Sequence, residues 1–246
     1  MPHRLKIEHI EEAAQMIDPV FLNSPQYVAE GLSRELDMRV VVKVETMNPV
    51  RCFKGRGTDY LITKLEAGSE LITASAGNLG LAMAYACRRR GFGLTVYAAE
   101  NANPLKLQGM RAMGAQVILR GKDLDAAKLE AMSMAIRLGR RMVEDSLDVE
   151  TGEGAGTIGL ELANFPETLD AVLVALGNGA LACGVGRYFK YAAPATRIVA
   201  VQAAGAPAML QSWMQQKSSA STRLIRSRTE LPCACQFPNA SGIWRE

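Results

Sequence analysis

Short aliphatic or β-branched runs recur along the chain, and most are followed by a longer stretch in which apolar positions fall three or four residues apart. Runs at 40–45, 71–74, 94–97, 116–119, 170–176 and 197–202 carry the strand signature. Stretches at 26–36, 79–90, 104–113, 123–141 and 181–191 carry the helical one, and a further helical pattern begins near Asp59. In 26–36, Val28, Leu32 and Leu36 recur every fourth residue, and Ser24-Pro25 offers a cap and a first turn. Strand and helix alternate with short loops, the arrangement that builds a parallel sheet with helices on both faces. Residues 71–141 form one βαβαβα module, and 170–202 supply a second sheet around the helix at 181–191. The predicted fold class is α/β: two three-layer αβα domains with mostly parallel sheets, the first sheet inserted into the second. Its active site is expected in the crevice outside the carboxyl ends of the strands. No internal repeat or low-complexity segment precedes residue 217.

Composition narrows the function classes. A chain of 246 residues with 48% hydrophobic and 22% charged content buries a sizeable core, which excludes disordered and fibrous readings. Twenty-eight basic against 25 acidic residues leave a net charge of +3, too balanced for a nucleic-acid or membrane-surface partner, so the expected partner is a small molecule. Trp213 and Trp244 lack the basic surroundings of a base-stacking platform. Arg88-Arg89-Arg90 reads as a solvated helix end whose cations complement the dipole. His3 and His9 precede every predicted element, and Met110, Met113, Met132 and Met134 read as core. Five cysteines, at 52, 87, 183, 233 and 235, fit reduced thiols, and Cys233-Ala234-Cys235 is too close for a zinc knuckle. The N-terminus lacks the apolar segment of a signal peptide and no long apolar stretch follows, so the chain reads as cytoplasmic.

The candidate chemistry sits in three glycine-rich loops. Lys54 lies in Cys52-Phe53-Lys54-Gly55-Arg56-Gly57, after a β-branched run and before a helix, where a lysine can form an imine. Alone it would be an ordinary solvated loop residue. Ser75-Ala76-Gly77-Asn78-Leu79-Gly80 turns from strand to helix, so its backbone N–H groups face whatever fills the crevice, and a carboxylate suits them. Gly177-Asn178-Gly179-Ala180-Leu181 follows the apolar run 171–176 and opens another helix that can cradle a phosphate. It is neither a P-loop nor a dinucleotide fingerprint. An imine-forming lysine with an anion loop for a phosphate describes pyridoxal phosphate.

These segments resemble fold-type II pyridoxal-phosphate-dependent enzymes of tryptophan synthase β-like architecture, within them the threonine/serine dehydratase and serine racemase-like group. The segment at 52–57 resembles Ser-Phe-Lys-x-Arg-Gly, 75–78 matches Ser-x-Gly-Asn, and Gly154-Ala155-Gly156-Thr157 with Glu161 beyond it resembles Gly-x-Gly-Thr. The motifs keep the family order and cover nearly everything up to Gln216. The resemblance implies a Schiff base on Lys54 with Phe53 beside the ring, Asn78 on the ring hydroxyl, and the phosphate held by Gly177, Asn178, Gly179, Ala180 and Leu181. Ser75, Ala76, Gly77 and Asn78 would bind the substrate carboxylate. The implied activity is a lyase (ammonia-lyase) that deaminates threonine or serine by β-elimination to a 2-oxo acid. A racemase, a β-replacement enzyme or a non-catalytic cofactor-binding remnant are the alternatives. The resemblance also implies a homodimer, a large domain from 1–56 and 150–216, and a small inserted domain from 57–149.

The sequence departs from the pattern at Cys52, where the family has serine, and at Asn178 and Ala180, where it has glycine. Gln202, Ala206 and Ala208 stand where metal-binding racemases of the group carry acids, so no divalent-metal site is expected. From 217 to 246 periodicity ends and the family pattern stops, which reads as a polar tail on a truncated large domain and implies impaired activity. Permitted codons for 218–246, read one nucleotide earlier, can spell a string resembling the family's continuation, so a frameshift near Lys217 is expected. Sequencing the encoding DNA checks it: the shifted frame should continue as homologous protein, and a frame that does not contradicts the expectation.

Overall fold

The computed structural model describes residues 3–205 and 207–215. The tail at 217–246 and Ala206 lie outside these residues. A four-stranded, wholly parallel sheet is formed by β3 (Glu70–Ala74), β4 (Gly93–Ala98), β5 (Gln116–Leu119) and β6 (Arg141–Val143), in the order β5-β4-β3-β6. The central strand β3 is apolar on both faces, as a parallel strand covered on both sides must be. Its Leu71 joins Leu94, Val96, Met83 and Met110 on the side of α4 (Asn78–Arg90) and α5 (Pro104–Ala112). Its Ile72 points the other way, onto Ala127, Ala131 and Ala135 of α6 (Leu124–Leu138). Alanine at every fourth position lets α6 lie close to the strands.

Caps set the ends of these helices. Asn103 accepts the Leu105 N–H at 2.9 Å with Pro104 at the first position of α5, and Asp123 accepts the Ala126 N–H at 2.9 Å to open α6. Gly139, in the left-handed region at φ 63°, ends α6, and the chain turns directly into β6. The pattern at 123–141 predicts continuous helix there, so β6 is an addition. The Arg88-Arg89-Arg90 run also differs from its expectation: Arg89 pairs with Asp18, and Arg90 pairs with the fully buried Asp59. Two of the three arginines are thus ion-paired rather than simply solvated.

The rest of the chain surrounds α7 (Val149–Ala163), which packs on α1 (Ile7–Met16), α3 (Lys54–Thr63) and α8 (Ala180–Ala192). Strands β7 (Ala171–Ala175) and β8 (Arg197–Val201) pair in parallel around α8. In the segment 26–36, β1 (Gln26–Val28) pairs antiparallel with β2 (Val41–Lys43), and only α2 (Glu30–Glu35) is helical. The expected helix fails because Leu32 and Leu36 face solvent, so strand pairing outweighs the periodicity. The remaining described α-helix is α9 (Ala208–Gln215), and Pro19–Phe21 form a short 3-10 turn.

Two close approaches place α7. A Cβ on Gly154 would lie 2.6 Å from the Gly57 Cα, and one on Gly184 would lie 2.3 Å from the Gly152 carbonyl oxygen. Only glycine permits backbones this near. Between α3 and α7 sits Arg56, fully buried, with a fork for each of two carboxylates. Nε and Nη2 donate to Glu45 at 2.9 and 2.8 Å, and Nη1 and Nη2 donate to Glu161 at 2.5 and 3.0 Å. Nη1 also reaches Thr157 Oγ1 at 3.0 Å, and Lys43 supplies a second cation to Glu161. Burial works to raise the Glu161 carboxyl, but Arg56 and Lys43 outweigh it and hold it below its usual range.

Arg56→Met should cost about 3–5 kcal/mol in urea unfolding, because it leaves Glu45 without its cation and Glu161 with Lys43 alone. Gly154→Ala should cost about 1–3 kcal/mol by forcing α7 off α3. The Glu161 contribution is full above its unfolded value of 4.5 and fades as pH falls through the lowered folded value. Glu161→Gln should therefore flatten the decline of stability below pH 4.5.

Candidate active site

Lys54 is the first residue of α3, and Phe53 precedes it as the N-cap. The Lys54 Nζ lies 4.9 Å from the centroid of the Phe53 ring and donates a hydrogen bond to Asp145 Oδ2, with the two side chains 18% and 15% exposed. Asp145 lies two residues beyond Val143 of β6, which pairs with Thr73 of β3, itself two residues before Ser75. The ion pair therefore brings the amine to the carboxyl end of the sheet, where the Ser75–Asn78 turn begins. Burial pushes the Cys52 thiol up despite the nearby Lys54, so the cysteine beside the lysine stays protonated at neutral pH.

The turn at 75–78 is held by its own serine. Ser75 Oγ accepts the N–H groups of Gly77 and Gly80 at 3.2 and 2.9 Å. The N–H groups of Ala76, Asn78 and Leu79 have no acceptor among the described residues. A Cβ on Gly77 would meet no heavy atom within 4 Å, so these donors border open space. Asn78 Oδ1 accepts from Lys106 Nζ, which leaves its amide NH2 for another partner.

At the third loop, Gly179 takes the left-handed region at φ 101° and caps α8. Asn178 Oδ1 accepts the Ala180 N–H at 3.4 Å, filling a donor that the glycine of the family pattern would leave open. The N–H groups of Gly179 and Leu181 stay without an acceptor among the described residues. A Cβ on Gly177 would also meet nothing within 4 Å. Leu176, Leu181 and Phe53 pack on one apolar cluster that includes Ile158, Val174 and Phe189. That shared cluster ties the third loop to the lysine segment. The residues expected from the sequence thus fall on three loops connected by one ion pair and one apolar cluster. Gly154-Ala155-Gly156-Thr157 lies inside α7, where Thr157 and Glu161 serve Arg56.

Two side chains of the site escaped the motifs, Asp145 and Lys106. Asp145 lies beyond the helical pattern at 123–141, in a segment that no motif marks. Lys106 carried a legible signal: a cation in the first turn of a helix opposes the dipole unless an acceptor holds it. Cys52 and Cys87 are free and buried. No helix among the described residues is long and apolar enough to cross a membrane.

An amine beside an aromatic face, with two glycine-bordered N-terminal turns opening on free space, fits a phosphorylated aromatic aldehyde. Comparison with known proteins agrees. Residues 17–232 match the family described as pyridoxal-phosphate dependent enzyme. The chain is 32% identical over 206 residues to threonine dehydratase 2 biosynthetic, chloroplastic, of Solanum lycopersicum, covering 82% of this chain and 35% of that protein. It is 29% identical over 221 residues to the L-threonine dehydratase biosynthetic IlvA of Halalkalibacterium halodurans, covering 87% of this chain and 53% of that one. The chain spans about a third to a half of the length of these relatives. The solved structure of the processed form of threonine deaminase isoform 2 from Solanum lycopersicum superposes with a TM-score of 0.81 at 28% identity, over 92% of this chain and 64% of that one. The fold, the three loops and the matched length place the chain in the pyridoxal-phosphate-dependent enzyme family.

Proposed function

We propose that the protein is a lyase that deaminates a hydroxy amino acid, threonine or serine, to a 2-oxo acid and ammonia. The observation that carries the reading is the Lys54 amine held at the carboxyl end of the sheet beside the Ser75–Asn78 turn. Pyridoxal phosphate, bound there, supplies an aldehyde for amine condensation and a ring that accepts the electrons of a deprotonated α-carbon. Phe53 gives that ring a flat apolar neighbour, and Asn78 offers its amide to the ring hydroxyl. Gly177, Asn178, Gly179, Ala180 and Leu181 hold the phosphate with the remaining N–H groups and the dipole of α8. Ser75, Ala76, Gly77 and Asn78 receive the substrate carboxylate on the unpaired donors at the start of α4.

Lys54 then has two tasks. Its Nζ would be the point of attachment for the cofactor, and its amine, when free, would take up the α-proton of the substrate. The two-domain division into 1–56 with 150–216 and 57–149 is part of the same reading. Its support is that β3 to β6 lie entirely within the second span, whereas β1, β2, β7 and β8 lie in the first. Pairing of two chains and a cytoplasmic location are further parts of the proposal, and relatives bearing chloroplastic and mitochondrial names make location the freer of the two.

With pyridoxal phosphate supplied, the protein should release 2-oxo acid from L-threonine or L-serine, measured by coupled reduction of the product. Lys54→Ala should lower kcat by at least about 10²-fold. Cofactor uptake with no oxo acid from either substrate would replace this reading with that of a non-catalytic binding remnant.

A further inference from the structure

Asp145 stands outside every motif that located the other loops, yet it is the hydrogen-bonded partner of the amine on which the chemistry depends. Among the described residues Asp145 has no second cation. Neighbouring charges are engaged elsewhere: Lys128 pairs with Glu144, and Arg141 pairs with Asp148. The carboxylate is 15% exposed, so its acceptor sites depend on donors close by rather than on bulk water.

The function proposed above reduces what Lys54 can offer that carboxylate. When a lysine ammonium condenses with an aldehyde, a carbon–nitrogen double bond replaces the carbon–oxygen one. The nitrogen keeps one of its three protons, and the other two leave with the oxygen as water. Lys54 can then offer Asp145 at most one donor in place of three. An incoming amino acid brings further donors, because its α-ammonium must approach the same carbon that Nζ holds.

We infer that Asp145 is a specificity-determining residue that recognises the amino group of the substrate. The site then reads both charged ends of an α-amino acid: the carboxylate on the Ser75–Asn78 donors and the ammonium on Asp145. A 2-hydroxy acid of the same shape satisfies only the first. Specificity of this kind is strong because the wrong ligand leaves acceptor sites of a half-buried carboxylate unfilled.

The inference rests on the proposed function, and two readouts test it. In the cofactor-free protein, labelling of Lys54 by an amine-acylating reagent, followed by peptide mass spectrometry, should rise severalfold in Asp145→Asn relative to the other lysines. In the cofactor-loaded protein, L-alanine, which has no β-leaving group, is titrated by the absorbance of the lysine-bound cofactor, with L-lactate as competitor. Asp145→Asn should weaken L-alanine at least tenfold and leave competition by L-lactate within twofold, and Asp145→Glu should recover most of the alanine affinity. Equal alanine affinity in wild type and Asp145→Asn overturns the inference, as does an equal loss for alanine and lactate, which marks a general distortion. A wild-type protein that takes up no cofactor contradicts the proposed function and this inference together. Cofactor uptake with unchanged alanine affinity contradicts this inference alone.

Discussion

Arg56 is the fixed point of the molecule. A guanidinium with no solvent exposure survives only if its donors are satisfied, and here two carboxylates and a threonine hydroxyl on separate segments meet it. Glu45 follows β2, and Glu161 and Thr157 lie one turn apart on α7. The arginine is two residues beyond Lys54, so the network that neutralises it also fixes the start of α3. An Arg-to-Lys exchange would keep the charge but lose the fork that spans both acids.

The glycine contacts carry this anchoring outward. Gly57 against Gly154 and Gly152 against Gly184 bring three helices to backbone distance, and the loops that precede α3 and α8 arrive with them. Each glycine inside a helix costs about 1 kcal/mol of propensity against alanine. Four of them in α7, at 152, 154, 156 and 159, persist because the helix is buried along nearly its whole length. The site is therefore built on packed helices with short loops at their ends, and its amine is oriented by a buried ion network on one side and by Asp145 on the other.

Much of this was legible in the chain. The strands at 71–74, 94–97, 116–119 and 170–176 match β3, β4, β5 and β7 to within a residue or two, since short apolar runs between turn signals have few other uses. The three loops were legible from glycine placed after a strand. Besides α9, two helices that pack around the site were not: α1 is short and carries three glutamates, and α7 holds four glycines that imitate a loop. Their helicity comes from tertiary packing, Ile7 and Ile10 against Tyr188 and the glycines against neighbouring backbone. Asp145 was missed for a different reason. Its role depends on β6 lying beside β3, a pairing between residues about seventy positions apart that no local pattern announces.

The proposed function makes one chemical requirement, a single lysine that bonds to the cofactor. Mixing the protein with pyridoxal phosphate, reducing with borohydride and mapping the modified peptide by mass spectrometry tests it most directly. The account predicts one phosphopyridoxyl adduct, on Lys54, abolished in Lys54→Ala without transfer to Lys43 or Lys106. An adduct spread over several lysines, or undiminished in Lys54→Ala, would contradict it.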